Sequence, residues 1–192
     1  MNATRSVSLA YEEPIPPRTR LSAANFADVA CFTCAAPGES ETRWEKDVSD
    51  WIRNPGAGGA LEAETLGEAE VYLYHEGPNL LGYGSLSKEE VWDVTTGVLV
   101  GTVHVLPYLA VHSQFRRQKG VGKKSFGRRI LGGLIEEVER RAEYPWLFLY
   151  VDPENPAKDF YAEFGFEKYD EWTDRADGRL WVRMKRRIVV TS

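Results

Sequence analysis

Apolar positions along the chain change their spacing several times, and each change marks an element. Trp44, Val48, Trp51 and Ile52 recur at three- and four-residue intervals, which predicts a helix that stops at Asn54-Pro55-Gly56. Val71-Tyr72-Leu73-Tyr74 and Leu80-Leu81-Gly82-Tyr83 flank Glu76-Gly77-Pro78-Asn79, the pattern of a hairpin. A further strand region runs from about Val98 to Val111, and Pro107, which has no N–H to donate, should interrupt its pairing. A long amphipathic helix follows and lasts to about Ala142, burying Val121, Phe126, Ile130, Leu134 and Val138 and exposing Lys123, Arg129, Glu136 and Arg140. Trp146 to Val151 is a continuous apolar run, as expected of a strand covered on both faces. Asn155-Pro156 opens a short helix, Ala157 to Phe164, closed by Gly165, and Phe166 to Tyr169 and Leu180 to Met184 make the last two strands.

The N-terminal portion is less regular. Residues 1–20 contain Pro14, Pro16 and Pro17 with little periodicity and read as a flexible or draped arm, so that one domain spans 21–192. A short helix is expected from Ser22 to Thr33, and a Gly- and Ala-rich loop from 56 to 67. The whole is mixed α/β, with a strand–helix–strand crossover at its centre.

Composition narrows the function. With 192 residues, 43% hydrophobic and 12% aromatic, the chain can fill one core. Its net charge of −5 argues against broad nucleic-acid binding, which needs many cation–phosphate contacts. No apolar stretch is long enough to span a bilayer, so the expectation is a soluble, cytoplasmic protein. Cys31 and Cys34 form a Cys-x-x-Cys pair, but a structural zinc site needs four ligands, and His75, His104 and His112 show no paired spacing. No metal is expected, and both thiols read as buried and inert.

The most informative stretch is Arg117-Gln118-Lys119-Gly120-Val121-Gly122, between the apolar run Tyr108-Leu109-Ala110-Val111 and the long helix. A glycine turn at a helix start presents unpaired N–H groups to an anion. Seven basic residues and no acidic ones lie between Arg116 and Arg129, so positive charge is concentrated where a phosphate would bind. A Walker A loop is excluded because Arg117 stands where its first glycine belongs and Lys123 is followed by Lys124; a dinucleotide fingerprint is excluded by Ser125 at its third glycine. Leu109-Ala110-Val111, six residues, then Gln118-Lys119-Gly120-Val121-Gly122 resembles the acetyl-CoA signature of the GNAT acetyltransferase superfamily. Asn155, Ala157 and Tyr161-x-x-x-Gly165-Phe166 resemble its second signature. The resemblance covers about residues 70 to 187 and is loose in the N-terminal half.

The resemblance implies a mostly antiparallel, mixed central sheet flanked by helices, with a splayed strand pair at the acetyl-CoA site. It implies an N-acetyltransferase that moves the acetyl group of acetyl-CoA to a primary amine of a small molecule or protein, by direct attack in a ternary complex. Gln118 to Lys123 would hold the pyrophosphate, with Arg117, Lys119 and Lys123 as cationic helpers. Leu109, Ala110 and Val111 would bind the pantetheine arm, Asn155 would belong to the same cofactor site, and Val111 N–H would face the developing oxyanion. Tyr161 occupies the position that in the family often carries the general acid.

The base is open. Leu106-Pro107-Tyr108 stands where relatives place a carboxylate, leaving Glu76, His104 and His112 as substitutes. Clusters Glu39, Glu41, Glu45, Asp47, Asp50 and Glu62, Glu64, Glu68, Glu70 would suit a cationic acceptor if they faced the cleft. The alternatives are a toxin-like enzyme acetylating aminoacyl-tRNA, for which Leu81-Gly82-Tyr83-Gly84-Ser85-Leu86-Ser87 and the basic stretches Arg116 to Arg129 and Arg183 to Arg187 speak, and a non-catalytic acyl-CoA-binding module. A homodimer is also open; no membrane partner is expected.

Overall fold

The computed structural model describes residues 15–36, 38–93, 95–116, 125–174 and 177–189. Strands β1 (Arg18–Arg20), β2 (Ala69–Glu76), β3 (Asn79–Trp92), β4 (Leu99–Leu106), β5 (Leu109–Val111), β6 (Trp146–Val151), β7 (Glu167–Thr173) and β8 (Leu180–Arg187) form one sheet. Helices α1 (Arg43–Arg53), α2 (Ala60–Leu66), α3 (Phe126–Arg141) and α4 (Ala157–Ala162) accompany it. The strand order is β1-β2-β3-β4-β6-β8-β7, with β5 paired to β3 off this path. Among the described strands only the β4–β6 pair is parallel, as the α3 crossover between them requires.

Strand alternation feeds two cores. Tyr72 and Tyr74 of β2 pack with Ile130, Leu134 and Val138 of α3, while Val71 and Leu73 turn to the opposite face and pack with Ile52 of α1 and Ala60 of α2. Burial on both faces is why this segment reads as an unbroken apolar run. The hairpin, the α1 helix and the β6 strand lie where the spacing places them.

Three N-terminal expectations are corrected. Residues 18–20 are not part of an arm: they pair with Tyr72–Tyr74 as an edge strand, and Ile15 packs on the α3 core. Arg18 donates to the Gly133 carbonyl (3.0 Å) and to Glu137 (2.7 Å), so the segment is fixed by side chains that carry no periodic signal. In place of a helix from Ser22 to Thr33 there is only a 3₁₀ turn, Phe26–Asp28, because the Asn25 side chain accepts from Ser22 N and donates to Arg20 O and so supplies local bonds that compete with a helix. The loop expected over 56–67 contains α2. Its glycines end at Gly59, after which Ala60-Leu61-Glu62-Ala63-Glu64 are strong helix formers, and Gly67 caps the end in the left-handed region (φ +73°).

An ionic lattice joins β1, β2 and α3. Arg141 binds Glu70 and Glu137, Arg18 and Arg140 bind Glu137, and Arg20 binds Glu64 and Glu70. The bond from Arg141 holds the Glu70 carboxyl at about 2. Burial alone would raise Glu137, yet the surrounding guanidiniums hold it at about 2 as well.

Candidate active site

The site begins where two parallel strands part. β4 and β6 pair only from His104–Leu106 to Leu147–Leu149, after which β5 turns away onto β3. Pro107 cannot continue the ladder, and Ser85 captures the turn, its N–H donating to Tyr108 O (2.9 Å) and its Oγ accepting from Tyr108 N (3.1 Å). Gly82 makes the close approach possible: a Cβ there would lie 2.2 Å from the Ala110 carbonyl oxygen. Tyr108 O accepts from Ser85 N and His112 N donates to Leu81 O, so antiparallel alternation turns the N–H and C=O of Leu109 and Val111 away from β3, toward the gap.

A cavity of about 590 Å³ fills that gap, within the range of small-molecule sites. Leu109, Ala110, Val111, Asn155 and Tyr161 all line it, as do Ser125, Phe126 and Gly127 at the start of α3. Arg117, Gln118, Lys119, Gly120, Val121, Gly122 and Lys123 lie outside the described residues, as does the first part of the predicted long helix. Arg116 and Ser125, which stand on either side of residues 117–124, both line the cavity, and no described side chain caps the α3 N-terminus. Asn155 uses its Oδ1 to accept from Ala157 N (2.9 Å), so its side chain shapes the α4 start while its body lines the cavity.

Tyr161 is half-buried, its ring set edge-on to Phe160 (5.4 Å) and Phe166 (6.0 Å). Burial pushes the phenol up to about 12, because the phenolate would lose its water. It therefore stays protonated and is a hydrogen-bond donor, with no partner for its hydroxyl among the described residues.

The opposite end of the cavity is assembled from distant elements. Trp44, Glu45, Asp47 and Val48 of α1 face Tyr108, Tyr150, Asp152, Arg179 and Trp181. Arg179 stacks on Trp181 (4.1 Å to the ring centroid) and reaches across to Asp47 (2.8 Å) and Asp152 (3.4 Å). Asp152 also binds Arg43, and Glu45 binds Arg116. Spacing along the chain carries no sign of this ring, because the Arg43–Asp152, Glu45–Arg116 and Asp47–Arg179 pairs each join residues more than seventy positions apart.

The substitutes for a base are not brought here. His104 is buried on β4 beside Tyr144, 3.9 Å from Glu143, with no hydrogen-bond partner for either ring nitrogen among the described residues, and burial lowers its pKa. His112 lines a second cavity with Cys31, Thr33 and Glu41, and packs on Phe32. Glu76 is exposed at the β2–β3 turn. Of the acidic clusters only Glu45 and Asp47 line the cavity, and both are paired with arginine. The two thiols differ, contrary to expectation: Cys34 is buried and lines the cavity, whereas Cys31 is exposed. No group of three or more His, Cys, Asp or Glu side chains among the described residues could hold a metal ion, and no described helix is long and apolar enough to cross a membrane.

No curated protein matches the sequence. Solved structures do match in fold. A bacterial toxin is 18% identical with a TM-score of 0.65, covering 92% of each chain. A mutant of the toxin AtaT bound to the C-terminus of the antitoxin AtaR and acetyl-CoA is 13% identical (TM-score 0.59; 89% of this chain, 92% of that one). The ribosomal-protein-S18-alanine N-acetyltransferase of Escherichia coli is 19% identical (TM-score 0.54; 92% of this chain, 96% of that one). The family model for the acetyltransferase (GNAT) domain matches residues 47–188, which contain the parted strands, α3 and α4, and the chain therefore belongs to the GNAT acetyltransferase family.

Proposed function

We propose that the chain transfers the acetyl group of acetyl-CoA to a primary amine by direct attack in a ternary complex. The observation that carries this reading is the gap between β5 and β6, where the free backbone edge of Leu109 and Val111 opens onto a cavity that Tyr161 also lines. When bound, acetyl-CoA supplies the thioester. The chain's own groups then have three tasks. The β5 edge accepts an extended amide-bearing arm as a neighbouring strand would, and Val111 N–H is free to donate to the thioester oxygen as charge develops there. The Tyr161 hydroxyl donates a hydrogen bond to sulfur as the C–S bond breaks. With the phenol near 12 and a free thiol near ~8.5, the donor stabilises the departing thiolate more readily than it protonates it outright.

The glycine turn 117–123 is proposed as the pyrophosphate cradle, its N–H groups aided by Arg117, Lys119 and Lys123. For the acceptor's proton the cavity offers no dedicated acceptor, since every carboxylate lining it among the described residues is paired with a guanidinium. The amine enters neutral, and its second proton leaves through solvent.

Release of free thiol from acetyl-CoA over a panel of amines, beside calorimetric titration with acetyl-CoA, tests this reading. Binding with amine-dependent thiol release is expected; binding with no release for any amine would assign the chain to the non-catalytic alternative. Charged aminoacyl-tRNA in the same panel tests the toxin-like alternative.

A further inference from the structure

The acceptor end of the cavity carries its own specification. Three carboxylates (Glu45, Asp47, Asp152) and two guanidiniums (Arg116, Arg179) line it, and Arg43 reaches Asp152 from outside. Each carboxylate is bound by a guanidinium, so the wall presents almost no uncompensated charge. A polycation would have to displace an arginine from a partly buried carboxylate, which strands one charge for each new pair it makes. A free carboxylate or a phosphate chain would meet the same difficulty with the opposite sign, and the chain's net charge of −5 adds to it.

What the pairs leave open is aromatic surface. Trp44 of α1, Tyr108 of the β4–β5 connection, Tyr150 of β6 and Trp181 of β8 line this end. Tyr108 is held flat against Trp51 (4.1 Å, 19° between planes), and Trp181 is held by Arg179. Rings already held in place offer apolar contact area at little entropic cost.

The nucleophile is constrained separately. Among the described residues no carboxylate or imidazole lining the cavity is free to take a proton, so the acceptor supplies its own neutral form. An α-amine with a pKa of about 7.7–8.0 is roughly 10–17% neutral at pH 7, whereas a lysine ε-amine near ~10.4 is about 0.04% neutral, a difference of several hundredfold.

We infer that the acceptor is the α-amine of a peptide whose first residue bears an aromatic side chain, with that ring seated among Trp44, Tyr108, Tyr150 and Trp181. This rests on the acetyl-transfer reading and narrows it. The transfer balances simply: the amine nitrogen forms a bond to the acetyl carbon, the C–S bond breaks, the thiolate leaves, and one proton passes from nitrogen to solvent.

The test compares kcat/KM for thiol release with Phe-Gly-Gly-amide, Trp-Gly-Gly-amide, Gly-Gly-Gly-amide, Nα-acetyl-lysinamide, spermidine and phenylalanyl-tRNA. The aromatic peptides are expected to exceed glycine peptide by about tenfold or more and Nα-acetyl-lysinamide by about a hundredfold or more. Trp181→Ala and, independently, Trp44→Ala should shrink the ratio of aromatic to glycine peptide toward one; two variants on different elements keep the test usable should one fail to fold. Equal rates for the glycine and aromatic peptides, or preference for spermidine, lysine or the RNA, overturns this assignment while leaving acetyl transfer intact. Bound acetyl-CoA with no thiol release in any arm overturns the transfer reading and this one together.

Discussion

The two ends of the cavity are built on different principles. The end proposed for the cofactor is made of backbone: a strand freed by Pro107, a close approach allowed by Gly82, and two helix starts. The end proposed for the acceptor is made of side chains from α1, the strand ends and the β7–β8 connection, tied together by Arg116 and Arg179. Backbone geometry is a property of local sequence, whereas a wall of rings and ion pairs exists only after distant segments have met. Substitutions at one end should therefore act on one ligand.

The largest effect is expected from Gly82→Val, whose side chain would collide with the Ala110 carbonyl and Ile130. It should weaken acetyl-CoA binding by about a hundredfold or more, or cost several kcal/mol of stability, roughly the range of severe overpacking. Calorimetry and a denaturation curve on the same sample give both quantities; intact affinity in a folded variant would dissolve the contrast at its backbone end.

Next comes Tyr161→Phe, expected to lower kcat by about 10² while leaving acetyl-CoA affinity within about twofold, since the ring contacts persist and only a transition-state donor is lost. Full turnover with an acceptor for which chemistry is limiting would make Tyr161 a packing residue.

Arg179→Gln probes the other end. It removes one of the two guanidiniums on Asp152 and the only one that any described residue gives Asp47, so KM for the acceptor should rise about tenfold, the loss of roughly one charged hydrogen bond. Acetyl-CoA affinity should hardly move, and an equal change in both constants would show that the ends are coupled.

The smallest effect on turnover is expected from His104→Leu, within about twofold, because the imidazole faces Tyr144 rather than the cavity. Its signature lies in stability. Burial holds the folded His104 below the ordinary 6.5, so as pH falls through 6.5 the unfolded chain takes up a proton first, and stability declines until the folded value is passed. Denaturation midpoints of the variant should lose that portion of the decline. Glu70 and Glu137 contribute to the acid slope that remains below about 4.5, their stabilisation being complete above that value and lost toward about 2, together with other lowered carboxylates such as Glu41 and Asp152.

Legibility followed the same division. The fold class, the hairpin, β6 and the break at Pro107 were readable because periodicity and proline act locally. The strand and helix junctions that carry Leu109–Val111 and Tyr161 were readable too, and these residues line the cavity. Arg179 and Asp152 were silent, since the Arg179–Asp47 and Arg43–Asp152 pairs, separated by 132 and 109 positions, leave no pattern. The place of β1 was hidden for the same reason: three residues are too few for alternation to register, and what fixes them is Glu137 on a helix far along the chain.

That last attachment has a consequence for biosynthesis. Arg18 precedes Glu137 by 119 residues. At roughly 5–20 residues per second, a nascent chain would hold this cation for about 6–24 s before its carboxylate partner exists. The strand partner of β1, β2, is made well before α3, so β1 can pair along its backbone while the Arg18 bond to Glu137 waits. Arg18, at home in water until α3 arrives, suits a strand whose last attachment comes late.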